Sequence, residues 1–300
     1  MPIPPRLLSA AALACCAMPA AAQDAGEPGV SVELPTAPAE DTVFDGDFLS
    51  LGIGLALGPS YTGSDDYQLF PLPLVQGSFS GVDIEPRGAG VALNFLPERE
   101  SGPSLSLGPI IRFNLDRVNE TDDPVVDLYG ELDLAVEVGP TVGVNFPAVL
   151  NPFDTFSISV DAVWDIAGAH GGMAVNPSVS YFTPVSRAAA VSLSVNAMVI
   201  DDDYADYYYS VPALPAAPAG ASMPAGLPIF KAEGGLQSYG VNLLAGYDLD
   251  GDLTNGGLAL AFIGGYSRLT GDAKDTPFTS IRGDADQWFG GVGLAYTFGS

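Results

Sequence analysis

One histidine, His170, stands near Asp161 and Asp165 in a chain rich in serine, and a histidine between an acid and a serine is the set from which a hydrolytic triad is assembled. The chain contains no Gly-x-Ser-x-Gly, and His170-Gly171-Gly172 has no strand-to-helix setting for an oxyanion hole. The expectation is therefore a tight turn whose two glycines take positive φ, and no catalytic residue. Asp248, Asp250 and Asp252 repeat the opening of a calcium loop, but the sixth place, which needs glycine, is Leu253, and the twelfth is Ala259. A solvated turn is expected there, with no metal site and no cofactor. Two acidic clusters, Asp65-Asp66 and Asp201-Asp202-Asp203, read as solvated loop faces, with divalent bridging to lipopolysaccharide phosphates as the alternative.

The elements that hold these residues begin with an export segment. Arg6 precedes an apolar stretch from Leu7 to Met18, then Ala20-Ala21-Ala22 and Gln23, the pattern of a secretory signal (residues 1–22) cleaved after Ala22. The stretch is shorter than the roughly 20 residues that cross a bilayer as a helix. Both cysteines, Cys15 and Cys16, lie inside it, so a mature chain would have no thiol; acylation of one of them is the rival reading. The 10 Lys+Arg against 36 Asp+Glu give a formal charge of −26, which excludes nucleic acid as a partner, because phosphate binding needs a basic face. Yet 47% of the residues are apolar, which does not suit a disordered acidic chain. No run of 18 apolar residues follows the signal, so membrane-spanning helices are excluded. Residues 23–46, acidic and rich in Pro and Ala, read as a flexible periplasmic arm, and 47–300 as the folded unit.

From Phe48 the pattern turns to period two. Leu49, Leu51, Ile53, Leu55 and Leu57 alternate with Ser50, Gly52, Gly54, Ala56 and Gly58, and similar runs recur to Phe298. Successive strand side chains point to opposite faces, so one face is aliphatic and the other small or polar. A soluble sandwich would alternate too, but its surface would carry many long charged side chains, and this chain has two lysines. Aromatic residues gather at strand ends, where membrane-interface girdles sit, and the last strand closes on Tyr296-Thr297-Phe298, similar to an outer-membrane assembly signal although Gly299 and Ser300 follow. The expectation is an all-β, antiparallel transmembrane barrel in the outer membrane. Its strands are placed near 48–58, 69–79, 81–86, 88–95, 103–114, 125–146, 154–167, 173–183, 188–200, 235–249, 256–268 and 286–298. That is twelve, with ten as the alternative, because both chain ends in the periplasm require an even number. Outer loops fall at 59–68, 115–124, 168–172, 201–234 and 269–285. In the strand 125–146, Asp127, Glu131, Asp133 and Glu137 share the inner face, either paired with Arg87 and Arg112 in a plugged lumen or lining a cation-preferring channel.

One ordered set of motifs is more specific. Tyr61-Thr62-Gly63-Ser64-Asp65-Asp66-Tyr67 leads into Phe70-Pro71-Leu72-Pro73-Leu74; Leu107-Gly108-Pro109 comes with Arg112; then follow His170-Gly171-Gly172, Asp201-Asp202-Asp203-Tyr204 and Gly265-Tyr266-Ser267-Arg268. This set resembles the MipA/OmpV family from about Phe48 to Phe298, with an Ala/Pro expansion at 205–225 as the departure. The resemblance implies an outer-membrane scaffold, with a lytic transglycosylase and a bifunctional penicillin-binding protein as partners; the outer-membrane placement itself implies contact with lipopolysaccharide, and the residues imply no enzyme. Adhesion or osmotic response is the family's other theme. It also marks Tyr61, Gly63, Ser64, Asp65, Asp66, Tyr67, His170, Asp202, Asp203 and Tyr204 as candidate partner or surface contacts.

Overall fold

The computed structural model describes residues 42–97, 99, 102–214 and 226–299. The signal segment, most of the arm and residues 215–225 of the Ala/Pro stretch lie outside the described residues.

Among the described residues, twelve antiparallel strands close into one barrel in sequence order. They are β1 (Phe48–Pro59), β2 (Tyr67–Phe79), β3 (Val82–Pro86), β4 (Gly90–Asn94), β5 (Ser104–Asn114), β6 (Ala135–Pro147), β7 (Thr155–Asp165), β8 (Met173–Pro184), β9 (Ala189–Ile200), β10 (Gly235–Asp248), β11 (Gly257–Leu269) and β12 (Asp286–Gly299). β1 closes on β12 in unbroken register from Phe48↔Gly299 to Leu57↔Gly290, so the C-terminal aromatic residues complete the wall. The break expected between 86 and 88 is a hairpin between β3 and β4, which makes the strand number even.

Alternation places the faces as expected. Ile53 is 72% exposed and Leu55 56%, while the neighbouring small residues look inward. The exposed aliphatic row continues through Leu105 and Leu107, Val142, Ile158 and Val160, Leu193 and Val195, and Val292 and Leu294. A continuous exposed apolar band around a closed sheet is the lipid-facing belt of a membrane barrel. No helix among the described residues is long and apolar enough to cross a membrane.

One expected strand is corrected. Residues 125–134 do not extend β6: they form a loop with a 3-10 turn at Asp127–Tyr129, and the strand starts at Ala135. The cause is side-chain capture of the backbone. Asp123 Oδ1 accepts from the N–H groups of Val125 (2.7 Å) and Val126 (3.3 Å), and Asp127 Oδ1 accepts from the backbone N–H and the hydroxyl of Thr121, both at 2.8 Å. β5 also ends at Asn114, opposite Ala135, so no neighbour exists for a longer strand. Asp127, Glu131 and Asp133 therefore do not line the lumen; Glu131 and Asp133 are exposed, and Glu137 alone of the four projects inward from a strand. The aliphatic row goes elsewhere as well, with Val126 buried among loop residues and Leu134 left at the strand's loop-side end.

The long loops fold, where the sequence reading left them plain. Between β9 and β10 lies α1 (Asp202–Tyr209), and between β11 and β12 lie α2 (Gly271–Asp275) and α3 (Pro277–Ser280). At the opposite end the connections are short, and the end of the arm is folded: Val43–Asp45 form a 3-10 turn held by the Val43 N–H on the Thr254 carbonyl at 2.9 Å.

Candidate functional site

The inward polar residues converge on one buried acid. Glu137 lies opposite Arg112 in the β5–β6 register and has no exposed surface. The Arg112 Nε–Glu137 Oε2 distance is 2.5 Å, and Arg112 Nη1 reaches across to Asn176 Oδ1 of β8 at 2.8 Å. His170 comes down from the β7–β8 loop until Nε2 stands 3.3 Å from Glu137 Oε1. At this separation the contact is a long electrostatic one, and neither atom has a closer hydrogen-bond partner among the described residues. His170 Nδ1 accepts from the Gly172 N–H at 3.0 Å, which assigns the ring proton to Nε2, facing the carboxylate.

α1 seals this cluster. Asp201 caps the helix, its Oδ1 accepting from the Tyr204 N–H at 3.0 Å while Oδ2 accepts from the Met173 N–H at 2.9 Å. The spacing Tyr204, Ala205, Tyr208 places one face of α1 on the inner wall, with Ile110, Val163 and Ala174. The His170 ring meets Tyr204 edge-on at 4.7 Å and lies 5.6 Å from Tyr208. The Tyr204 hydroxyl accepts from Asn114 at 2.9 Å, and Gln237 donates to the Tyr209 hydroxyl. The lumen is thus plugged at its long-loop end by a segment of the chain itself.

A second layer closes the mouth. The Tyr61 hydroxyl lies 3.1 Å from the carbonyls of both Phe278 and Arg282, tying the first loop to the last. Arg282 Nε pairs with Asp123 Oδ2 at 2.7 Å, the Arg117 guanidinium sits 4.6 Å over the Phe278 ring, and Arg117 donates to the Tyr208 carbonyl at 2.5 Å. Burial pushes the Tyr61 phenol well up, and the nearby Asp123 charge adds to it. Burial alone would raise the Asp123 carboxyl too; the Arg282 pair and the two backbone N–H groups outweigh it and hold the group below the usual carboxylate range.

The family-motif residues divide between two places. Tyr61, Gly63, Ser64, His170 and Tyr204 are buried clamps inside the mouth, whereas Asp65, Asp66, Tyr67, Asp202 and Asp203 are exposed on the rim. His170 is in a turn, as expected, but a buried one. Gly171 has φ +64 as predicted; Gly172 is needed instead for closeness, since a Cβ there would stand 2.4 Å from Asp201 Oδ1. Asp201 and Asp202 are not merely solvated, because Asp202 Oδ1 accepts from the Gly234 N–H at 2.7 Å. Arg87 pairs with Glu85 at 2.6 Å and approaches Asp161 at 3.5 Å, while Arg112 alone takes the expected partner. The sequence reading missed α1 and the Asp123–Arg282 tie. An aspartate cap followed by tyrosines at i and i+4 was the available signal for α1; two loops 159 residues apart gave none for the ion pair.

The belt, the closed sheet and the plugged lumen define the class: this is an outer-membrane β-barrel protein. The family model of the MltA-interacting protein MipA matches residues 51–298, and the chain belongs to that family. No curated protein matches it. Among solved structures, an outer-membrane channel from Pseudomonas putida F1 is 14% identical with a TM-score of 0.43, covering 87% of this chain and 99% of that one. The outer membrane protein OprD from Pseudomonas aeruginosa is 12% identical with a TM-score of 0.32, over 88% and 96% of the two chains.

Proposed function

We propose that this barrel is a scaffold that holds murein-processing enzymes at the outer membrane, its short connections facing the periplasm. The family description names interaction with MltA, which supports a lytic transglycosylase as the first partner; a penicillin-binding protein as the second belongs to the proposal alone. The observation that carries the reading is the turn between β6 and β7. Leu150 at its tip is 78% exposed, flanked by exposed Val149 and Phe153. The turn is rigid, because the buried Asp154 carboxylate accepts from the N–H groups of Val149 (2.6 Å), Leu150 (2.8 Å) and Asn151 (3.0 Å) and from the Tyr181 hydroxyl (2.7 Å). A preorganised apolar knob binds a partner groove with little ordering cost. The mouth weighs in the same direction, since α1 and the tied first and last loops occupy it.

A photo-crosslinking amino acid at position 150 of the full chain tests this in cell envelopes. The expected product is an adduct with a transglycosylase or a penicillin-binding protein, and pull-down of the same enzyme weakened at least tenfold by Leu150→Asp. Adducts to lipid alone, with neither enzyme recovered, would undo the reading.

A further inference from the structure

The barrel wall is not of even height. β3 and β4 are five residues each, between β2 with 13 and β5 with 11. β2 pairs with β1 along its whole length, from Phe48↔Ser78 to Pro59↔Tyr67, but with β3 only through Gly77, Ser78 and Phe79. Among the described residues, no strand pairs with the other edge of β2 from Tyr67 to Gln76. At about 3.4 Å per residue this open edge runs for roughly 30 Å. The β3–β4 hairpin ends at its base, with Gly88 in the left-handed region at φ +59 and Arg87 tethered toward Asp161 on β7. The result is a side notch, and it lies at the depth of the belt, since Leu69, Pro71 and Pro73 are registered against Leu57, Leu55 and Ile53.

An open edge at bilayer depth is excluded in lipid-facing sheets unless it is covered or lines a cavity. This edge borders the lumen, and two observations say what can enter the notch beside it. First, Pro71 and Pro73 stand on the edge positions and carry no N–H, so a further strand, whether from a second copy or a partner, would lose the donors of the ladder. Second, the residues that turn inward beside the notch are Phe70, Leu72 and Leu74, paired with Ala56, Gly54 and Gly52. Phe70 is 37% exposed and Phe289, inward on β12, is 36% exposed, so α1 does not fill this flank. We infer that the notch is a lateral binding site for a hydrocarbon chain of a membrane amphiphile, which passes between the edge of β2 and the β3–β4 tip to lie on the apolar inner flank. This inference is independent of the scaffold reading, because it concerns the wall and the lumen rather than the short turns.

Single-cysteine variants of the full chain, in a Cys15→Ser, Cys16→Ser background, carry a bimane label at Leu72→Cys or Leu74→Cys in phosphatidylcholine vesicles. Ile53→Cys is the lipid-facing control, and Ser194→Cys is inward on a closed part of the wall. Each variant is first shown to be folded by its heat-dependent gel mobility. Chain-brominated phosphatidylcholine should quench position 72 or 74 at least half as strongly as position 53, and position 194 by less than a tenth of it. Quenching at 72 and 74 no greater than at 194 overturns the proposal. So does quenching there by aqueous iodide without quenching by bromolipid, which makes the notch a water path, or a disulfide-linked dimer through Leu69→Cys, which makes it an interface between copies.

Discussion

The two flanks of the lumen differ in what covers them. Along β4 to β9 the inner face carries Arg112, Glu137, Asp161 and Asn176, and α1 lies over it so that Ile110 is 2% exposed and Val163 1%. Along β11, β12, β1 and β2 the inner face combines Gly and Ala with Phe70, Leu72, Leu74 and Phe289 and uncharged polar residues such as Gln76 and Gln287, carries no charge in register, and is left open enough that Phe70 and Phe289 keep over a third of their surface. A polar wall in a narrow lumen demands partners for its charges, and the chain supplies them from its own loops. An apolar wall makes no such demand and leaves room.

The largest test of this contrast removes the acid on which the covered flank depends. Glu137→Ala strands Arg112 and brings His170 against an unfilled space, so a loss of about 3–5 kcal/mol is expected from breaking a buried pair, read as a lower unfolding midpoint in detergent and as new conductance in planar bilayers. Glu137→Gln keeps the shape and should lose less. If Glu137→Ala is as stable as the parent, α1 is not held by this cluster.

A smaller effect compares the flanks directly. Ile110→Ala opens a cavity under α1 and should cost about 2–5 kcal/mol. Phe70→Ala, on the uncovered flank, should cost about 0.5 kcal/mol, like a surface change. Equal losses in the same urea titration would mean that the two flanks are packed alike.

The smallest effect is acid-dependent and concerns the mouth. The Asp123 carboxyl is held below its usual value by Arg282 and two backbone N–H groups against the pull of burial. A depressed folded pKa contributes stability fully above the unfolded value of about 4 and loses it as pH falls through the lower folded value. Hydrogen exchange of residues 278–284 should therefore be flat from neutral pH down to about 5 after correction for intrinsic rates, and then accelerate. Asp123→Asn should show faster exchange already at neutral pH with no further acid step. An acid step that persists in Asp123→Asn would assign it to another group.

Much of the barrel was legible because period-two alternation is a local property. Leu49 to Leu57 states which side faces lipid without knowledge of any neighbour, and the break at Arg87 was readable from Pro86 and Gly88. The same alternation misled at Val126 to Leu134, where the pattern of a strand was present but Asp123 and Asp127 captured the backbone N–H groups first. The candidate site was legible only as a set of residue types. Glu137 and Arg112 carried the right charges, yet nothing in one dimension distinguishes Glu137 from Glu131, which is in solvent.

Which side of each strand faces lipid was thus determined by sequence alone, because it follows from spacing along one segment, whereas twelve strands rather than ten and the closure of β1 on β12 were decided by the fold. Which acid is buried, where α1 docks, how the first loop ties to the last through Tyr61, and why Pro71 and Pro73 stand in a strand were decided only in three dimensions. The physical reason is that a charge, a tyrosine or a proline acquires its role from what the closed sheet brings against it, and closure sets residues more than a hundred positions apart within hydrogen-bond reach.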